Sequence, residues 1–250
     1  MSCERQGFAA IVLAAGQGKR MRSDLPKVLH TLRGRPMLEY VISAAREAGA
    51  DLIVAIAGPA TPGVAECARG LGAEVAEQPV PRGTGDAVRW ARPCLSDYAS
   101  DVAVLCGDAP VVSGALIARL VAHHRSEENA VTILTADLPD PRGFGRIIRA
   151  SDGRVVRIVE EADASPDEKA VSEVNTGAYC FAPGVLFPQL ELLTADNSQG
   201  ELYLTDVVGS LFLADCRVGA LSMGAPRAPL GINTMSELLE TERVLAAMDS

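Results

Sequence analysis

Four short apolar runs, Phe8 to Leu13, Leu52 to Ala57, Val102 to Cys106 and Ala130 to Leu134, constrain the fold of this chain more than any other feature. Each is continuous rather than alternating, the pattern of a strand covered on both faces. Helical stretches separate them. Between the first two, Met37, Tyr40, Val41, Ala44, Ala45 and Ala48 recur at helical spacing, with Pro36 suited to the first turn and Gly49 to the stop. After the third run, Leu116, Ile117, Leu120 and Val121 form a second stripe. Strand and helix in alternation imply right-handed βαβ crossovers. The predicted fold class is α/β, with a Rossmann-like, mostly parallel sheet and helices on both faces. Ligands of such sheets bind beyond the carboxyl ends of the strands.

From about Gly145 the pattern changes. Arg146 to Arg149 and Val155 to Val159 flank an Asp-Gly turn at Asp152 and Gly153, which predicts a hairpin and a mixed or antiparallel extension of the sheet. Leu238, Leu239, Val244 and Leu245 mark a final amphipathic helix. No linker rich in Pro, Gly or Ser interrupts the 250 residues, so one domain with two lobes is expected.

Charge narrows the partners. A formal charge of −9 and a pI near 4.9 argue against nucleic acid and anionic membrane, both of which select basic surfaces. Yet Lys19, Arg20, Arg22, Lys27, Arg33 and Arg35 crowd one short stretch whose only carboxylate is Asp24. That cluster is either a solvated positive face or a site for a small anion. The six cysteines (Cys3, Cys67, Cys94, Cys106, Cys180 and Cys216) lie far apart with no C-x-x-C pair, which predicts reduced, mostly buried thiols. The opening residues lack a signal-peptide pattern and no run of about 18 apolar residues occurs, so a soluble cytoplasmic protein is expected.

The first strand runs into Ala14-Ala15-Gly16-Gln17-Gly18-Lys19-Arg20-Met21, followed by Pro26-Lys27. Small residues and glycines there let backbone N–H groups approach a phosphate or a base. A dinucleotide fingerprint would need glycine at Met21, and a Walker A loop would need Ser or Thr at Arg20, so both are excluded. Further on, Gln78 precedes Gly83-Thr84-Gly85-Asp86-Ala87, and its carboxamide offers a donor and an acceptor to a pyrimidine edge. Rotating the amide swaps the two, so Gln78 alone does not choose uracil over cytosine. Asp108, in Cys106-Gly107-Asp108-Ala109-Pro110, sits just beyond an apolar strand, where a carboxylate is a hard oxygen ligand suited to magnesium carrying phosphates.

These segments, L-A-A-G-x-G-x-R-M with P-K, then Q-x-x-x-x-G-T-G-x-A, then G-D-x-P, resemble the nucleotide-sugar pyrophosphorylases. Gly143-Phe144-Gly145-Arg146-Ile147, Ile158-Val159-Glu160-Glu161, Val174-Asn175-Thr176-Gly177 and Gly231-Ile232-Asn233 follow in the order of the bacterial N-acetylglucosamine 1-phosphate uridyltransferases. The likeness runs from about Phe8 to Leu245. It implies a nucleotide-binding half over about 7–140, a sugar-binding half over about 141–234 and a closing helix over about 235–248, all within a single domain, 1–250. It also implies that Leu13, Ala14, Ala15, Gly16, Lys27, Gln78, Gly83, Thr84, Cys106, Gly107 and Asp108 bind substrate, with Gln78 and the backbone at Gly83 and Thr84 recognising uracil. Gly145, Glu160 and Asn175 would bind the sugar, and Asn233 would contact substrate and share magnesium with Asp108. Cys106 and Phe144 stand where that branch commonly carries tyrosine.

The reaction implied joins UTP and a sugar 1-phosphate, N-acetylglucosamine 1-phosphate first and glucose 1-phosphate second, and releases pyrophosphate. Arg20 and Lys27 would be the catalytic residues, stabilising charge on the α-phosphate and the leaving group. His30, His123 and His124 are expected on the solvated surface rather than in catalysis. Many relatives add an acetyltransferase built of hexapeptide repeats; none occurs here, so uridyltransferase activity alone is expected. Three rivals remain: a cytidylyltransferase, a metal-dependent glycosyltransferase, whose usual Asp-x-Asp triplet is absent, and a nucleotide-sugar sensor without chemistry.

Overall fold

Phe8, Ala10 and Val12 pack into one apolar cluster while Ala9 and Ile11 pack into another, which is why the first run is apolar throughout. The computed structural model describes residues 7–248. Its strands are β1 (Phe8–Leu13), β2 (Thr31–Leu32), β3 (Arg35–Pro36), β4 (Ala50–Ala57), β5 (Glu74–Glu77) and β6 (Val102–Cys106), then β7 (Val131–Asp137), β8 (Arg146–Arg149), β9 (Val155–Val159), β10 (Glu173–Phe181) and β11 (Val218–Ser222). The helices are α1 (Met37–Glu47), α2 (Val64–Gly70), α3 (Thr84–Arg89), α4 (Gly114–Ser126), α5 (Pro166–Lys169), α6 (Leu186–Glu191), α7 (Asp206–Leu213) and α8 (Met235–Met248).

The main sheet is ordered β11-β7-β10-β6-β1-β4-β5. β1 pairs in parallel with β4 and β6, β4 with β5, and β7 with β11, while β10 runs antiparallel between β6 and β7. The α/β class with a mostly parallel sheet is thus the observed one. The chain leaves β1 toward β4 on one side and returns to β6 on the other, so the switch point lies between β1 and β6. Helices α1, α2 and α4 cover the face of Ala10 and Val12; α3, α6 and α7 cover the face of Ile11. The β8–β9 hairpin joins the sheet through β10, its Gly153 at φ +86 in the predicted Asp-Gly turn.

Four expectations need correction. Pro36 lies just outside α1, as its N-cap, rather than in its first turn, while Gly49, at φ +98 just past the Ala48 C-cap, supplies the expected stop. His124 is 2% exposed, not solvated, because it continues the Leu120 and Val121 stripe of α4 into the core. Leu239 is 49% exposed: α8 buries Leu238 and Thr241 and packs Leu245 beside Leu32, Met37 and Ile232, a stripe that passes one residue to the side. Of the thiols, Cys180 is buried and Cys67, Cys94, Cys106 and Cys216 only partly so, while Cys3 lies outside the described residues.

Candidate active site

Leu13 and Cys106 are register partners at the ends of β1 and β6, and a cleft of about 270 Å³ opens beyond them. Ten of the residues expected to bind substrate line it: Leu13, Ala14, Ala15, Gly16, Lys27, Gln78, Gly83, Thr84, Cys106 and Asp108. Gly107 lies behind that lining, its N–H donating to the Leu13 carbonyl at 2.9 Å. The loop after β1 is tied to Lys27 through Gly18. Its φ is +64, and a Cβ there would stand 2.4 Å from the Lys27 Cβ, so only glycine fits.

At the cleft mouth four side chains from distant parts of the chain meet. The Lys27 ammonium donates to Asp108 Oδ2 and, at 3.0 Å, to Asn233 Oδ1; Arg20 donates to the same Asn233 oxygen at 2.9 Å. Asn233 is delivered there by two local devices. The Ile232 N–H donates to the Asp108 carbonyl at 2.9 Å, and Glu237 receives the N–H groups of Asn233 and Thr234 while Thr234 Oγ1 accepts from Glu237 N–H. That reciprocal cap opens α8 and fixes the turn carrying Asn233.

Among the described residues no group of three or more His, Cys, Asp and Glu side chains could hold a metal. The pair at the mouth supplies one carboxylate and one amide oxygen, both gripped by a single ammonium, so a cation already stands between them. A site with two protein oxygens, completed by waters and phosphates, is what magnesium accepts, so these residues fit it.

A second group lies next to this cleft. The Asn175 N–H donates to the Gly145 carbonyl at 2.8 Å, and a Cβ on Gly145 would stand 3.4 Å from Glu160 Oε2, so Gly145, Glu160 and Asn175 lie together. Buried Arg146 steadies the Gly145 turn by bonding the Phe144 carbonyl and, at 2.6 Å, Glu161. Cys106 joins the two groups: its Sγ contacts the Gly177 carbonyl at 3.5 Å, and Gly177 N–H bonds Asn175 Oδ1 at 3.0 Å. Burial, then the nearby Asp108 charge, pushes the Cys106 thiol up to about 12, so it stays a neutral wall. Burial also raises the Glu160 carboxyl above its ordinary range, although a 3.0 Å hydrogen bond from Thr205 pulls the other way.

Sequence reasoning missed Tyr179, Thr205 and the strap from Glu201 to Thr205. The Tyr179 hydroxyl meets the Asn175 amide at 2.6 Å. The strap runs along the loop before α3: Leu202 N–H bonds the Arg82 carbonyl at 2.7 Å, Gly85 N–H bonds the Leu202 carbonyl at 2.8 Å, and Leu204 N–H bonds Thr84 Oγ1 at 3.0 Å. Thr84 therefore holds the strap rather than capping α3, whose N-cap is Gly83. At φ +111, a Cβ on Gly83 would meet the Leu202 carbonyl at 2.5 Å. The only sequence signal for the strap was the Tyr203-Leu204-Thr205 run after a turn-rich stretch.

Residues 9–223 match the family model described as nucleotidyl transferase. The chain belongs to that family. It is 46% identical over 238 residues to the bifunctional protein GlmU of Pelotomaculum thermopropionicum, covering 95% of this chain and 52% of that protein. The bifunctional protein GlmU of Streptomyces coelicolor is 43% identical over 243 residues, 95% of this chain and 50% of its own length. The chain thus spans about half the length of the curated relatives it matches. A crystal structure of UDP-glucose pyrophosphorylase complexed with UDP-glucose shares the fold, with a TM-score of 0.78 at 14% identity over 97% of this chain and all of that one. As a member of this family the chain is a nucleotidyltransferase, and the family generally uses a divalent metal. Among the described residues no helix is long and apolar enough to cross a membrane.

Proposed function

We propose that this nucleotidyl transferase forms UDP-N-acetylglucosamine and pyrophosphate from UTP and N-acetylglucosamine 1-phosphate, with Mg²⁺ as its metal and residues 1–250 acting as one domain. One observation carries the reading: Arg20, Lys27, Asp108 and Asn233 converge at the mouth of a cleft lined by the base-reading loop, beside a second polar group suited to a sugar. The order of the sugar-half segments, which resembles that of the N-acetylglucosamine 1-phosphate uridyltransferases, supports the choice of sugar. Glucose 1-phosphate is the second choice, because Cys106 and Phe144 replace two common tyrosines.

In this mechanism Gln78, with the backbone at Gly83 and Thr84, holds the uracil, and the loop Leu13 to Gly16 follows the nucleotide toward its phosphates. Glu160 and Asn175 accept and donate hydrogen bonds to sugar hydroxyls beside Gly145. A phosphate oxygen of the sugar 1-phosphate attacks the α-phosphorus in line; its new P–O bond forms as the bond to pyrophosphate breaks, without a covalent enzyme intermediate. Arg20 and Lys27 face the charge that builds on the α-phosphate and the leaving pyrophosphate. Asp108 and Asn233 would hold Mg²⁺, which when bound neutralises phosphate charge and aligns the reacting groups. No side chain need take up a proton, and no histidine lines the cleft among the described residues.

The test is pyrophosphate release from a panel of UTP and CTP with N-acetylglucosamine 1-phosphate and glucose 1-phosphate. The highest kcat/KM is expected for UTP with the acetamido sugar. A preference for CTP would replace this reading with a cytidylyltransferase, a preference for glucose 1-phosphate would change the sugar, and no turnover with any pair would leave a binding protein.

A further inference from the structure

Gln78 is 4% exposed at the inner end of the cleft, and its amide is not free to turn. Its Nε2 donates to Asp86 Oδ2 at 2.7 Å and to the Gly83 carbonyl at 3.3 Å. A carbonyl can only accept, and an ionised carboxylate likewise, so chemistry and not only placement assigns the nitrogen to that side. Reversing the amide would set two acceptor oxygens against Gln78 Oε1 and strand both. In the observed orientation Oε1 lies on the opposite branch of the amide, and no donor among the described residues reaches it.

We propose that Asp86 is a positioning residue for base choice: by holding Gln78 Nε2, it commits Gln78 Oε1 to accept from the base and so selects the N3–H of uracil against the lone pair of cytosine N3. This rests on the uridyltransferase reading, and it removes the ambiguity inherent in a freely rotating carboxamide. The plainer role for Asp86, an acid in the first turn of α3 that favours the helix dipole, predicts an effect on stability and none on discrimination. The selection mechanism predicts the reverse emphasis. A base that presents an acceptor to Oε1 leaves two buried acceptors facing each other with no proton between them, a cost of the kind that separates substrates by roughly tenfold to a hundredfold or more.

The test compares kcat/KM for UTP and CTP in the wild type, Asp86→Asn and Asp86→Ser, with the melting temperature of each. Asn and Ser can donate as well as accept, so the residue at 86 no longer forbids the reversed amide and only the longer 3.3 Å contact with the Gly83 carbonyl opposes it. The UTP over CTP ratio should fall about tenfold or more in both variants, through a higher KM for UTP and a lower one for CTP, with kcat for UTP changed far less. A folded variant that keeps the wild-type ratio overturns the role of Asp86 while leaving uridyltransferase activity intact. A wild type that itself lacks preference for UTP defeats the underlying functional reading instead. Should neither variant fold, hydrogen exchange in the wild type decides. The Gln78 side-chain amide protons should exchange at least about tenfold more slowly than those of exposed Gln17 and Gln199, and equal exchange overturns the proposal.

Discussion

Replacing Asp108 with Asn separates the chemistry of the site from its architecture. The Asp108 side chain is 16% exposed and its ion-pair partner Lys27 15%, so the pair sits at a cleft wall, neither solvated nor sealed. Asn keeps the shape and an oxygen that can still accept from Lys27, whose ammonium retains Asn233 at 3.0 Å. The backbone tie from Ile232 N–H to the carbonyl of residue 108 does not depend on the side chain. Stability should therefore fall by only about 1 kcal/mol, a drop of roughly 2–4 °C in Tm for a chain of this size. Turnover should fall far more. The carboxylate is the anionic group that Lys27 grips beside Asn233 Oδ1, and loss of a preorganised electrostatic group of that kind costs about 10²–10³ in kcat. The assay is pyrophosphate release at saturating UTP and N-acetylglucosamine 1-phosphate over a magnesium titration, beside a thermal melt. A well-folded Asp108→Asn protein with near-normal magnesium-dependent turnover would refute the metal role. A loss of activity that merely followed a loss of fold would refute the separation of roles.

Three further outcomes test the surroundings. Burial raises the Glu160 carboxyl above its ordinary range, so its charged form weakens the fold at neutral pH; this penalty disappears as pH falls through the native value toward the unfolded one. Glu160→Gln should therefore melt higher than wild type at neutral pH, lose that advantage in acid, and raise the KM for the sugar phosphate about tenfold; an unchanged KM would remove Glu160 from the sugar site. Burial lowers His124, so the unfolded chain takes the proton more readily, and stability should drop as pH falls below the ordinary imidazole value of 6.5. His124→Gln should flatten that acid limb in urea titrations, and an unchanged slope would exonerate the histidine. Gly83→Ala should cost about 2–4 kcal/mol, since φ +111 and a Cβ 2.5 Å from the Leu202 carbonyl combine backbone strain with overpacking; a Tm within 2 °C of wild type would mean that the strap yields.

What was legible in the sequence follows from which forces act locally. β1 and β6 were legible because a strand buried on both faces must be apolar from end to end, and the small residues and glycines that follow, Ala14-Ala15-Gly16 after β1 and Gly107 after β6, mark the sheet edge where ligands bind. Asp108 and the loop Ala14 to Gly18 were found that way. His124 is buried and Leu239 exposed for the opposite reason: on a helix, exposure depends on an angle of about 100° per residue, so position in the stripe outweighs the polarity of the side chain. The strap residues and Tyr179 were out of reach because backbone pairing of residues 82–85 with 202–204 leaves no periodic trace. Asn233 falls between these cases. Its contact with Lys27 spans 206 residues and came only from resemblance, yet Thr234-Met235-Ser236-Glu237 already had the spacing of a reciprocal helix cap. Glu237 binds the Asn233 N–H at 2.7 Å, so the start of α8 also aims the amide at Lys27 and Asp108. A short-range signal for a helix end thus encoded the placement of a long-range site residue.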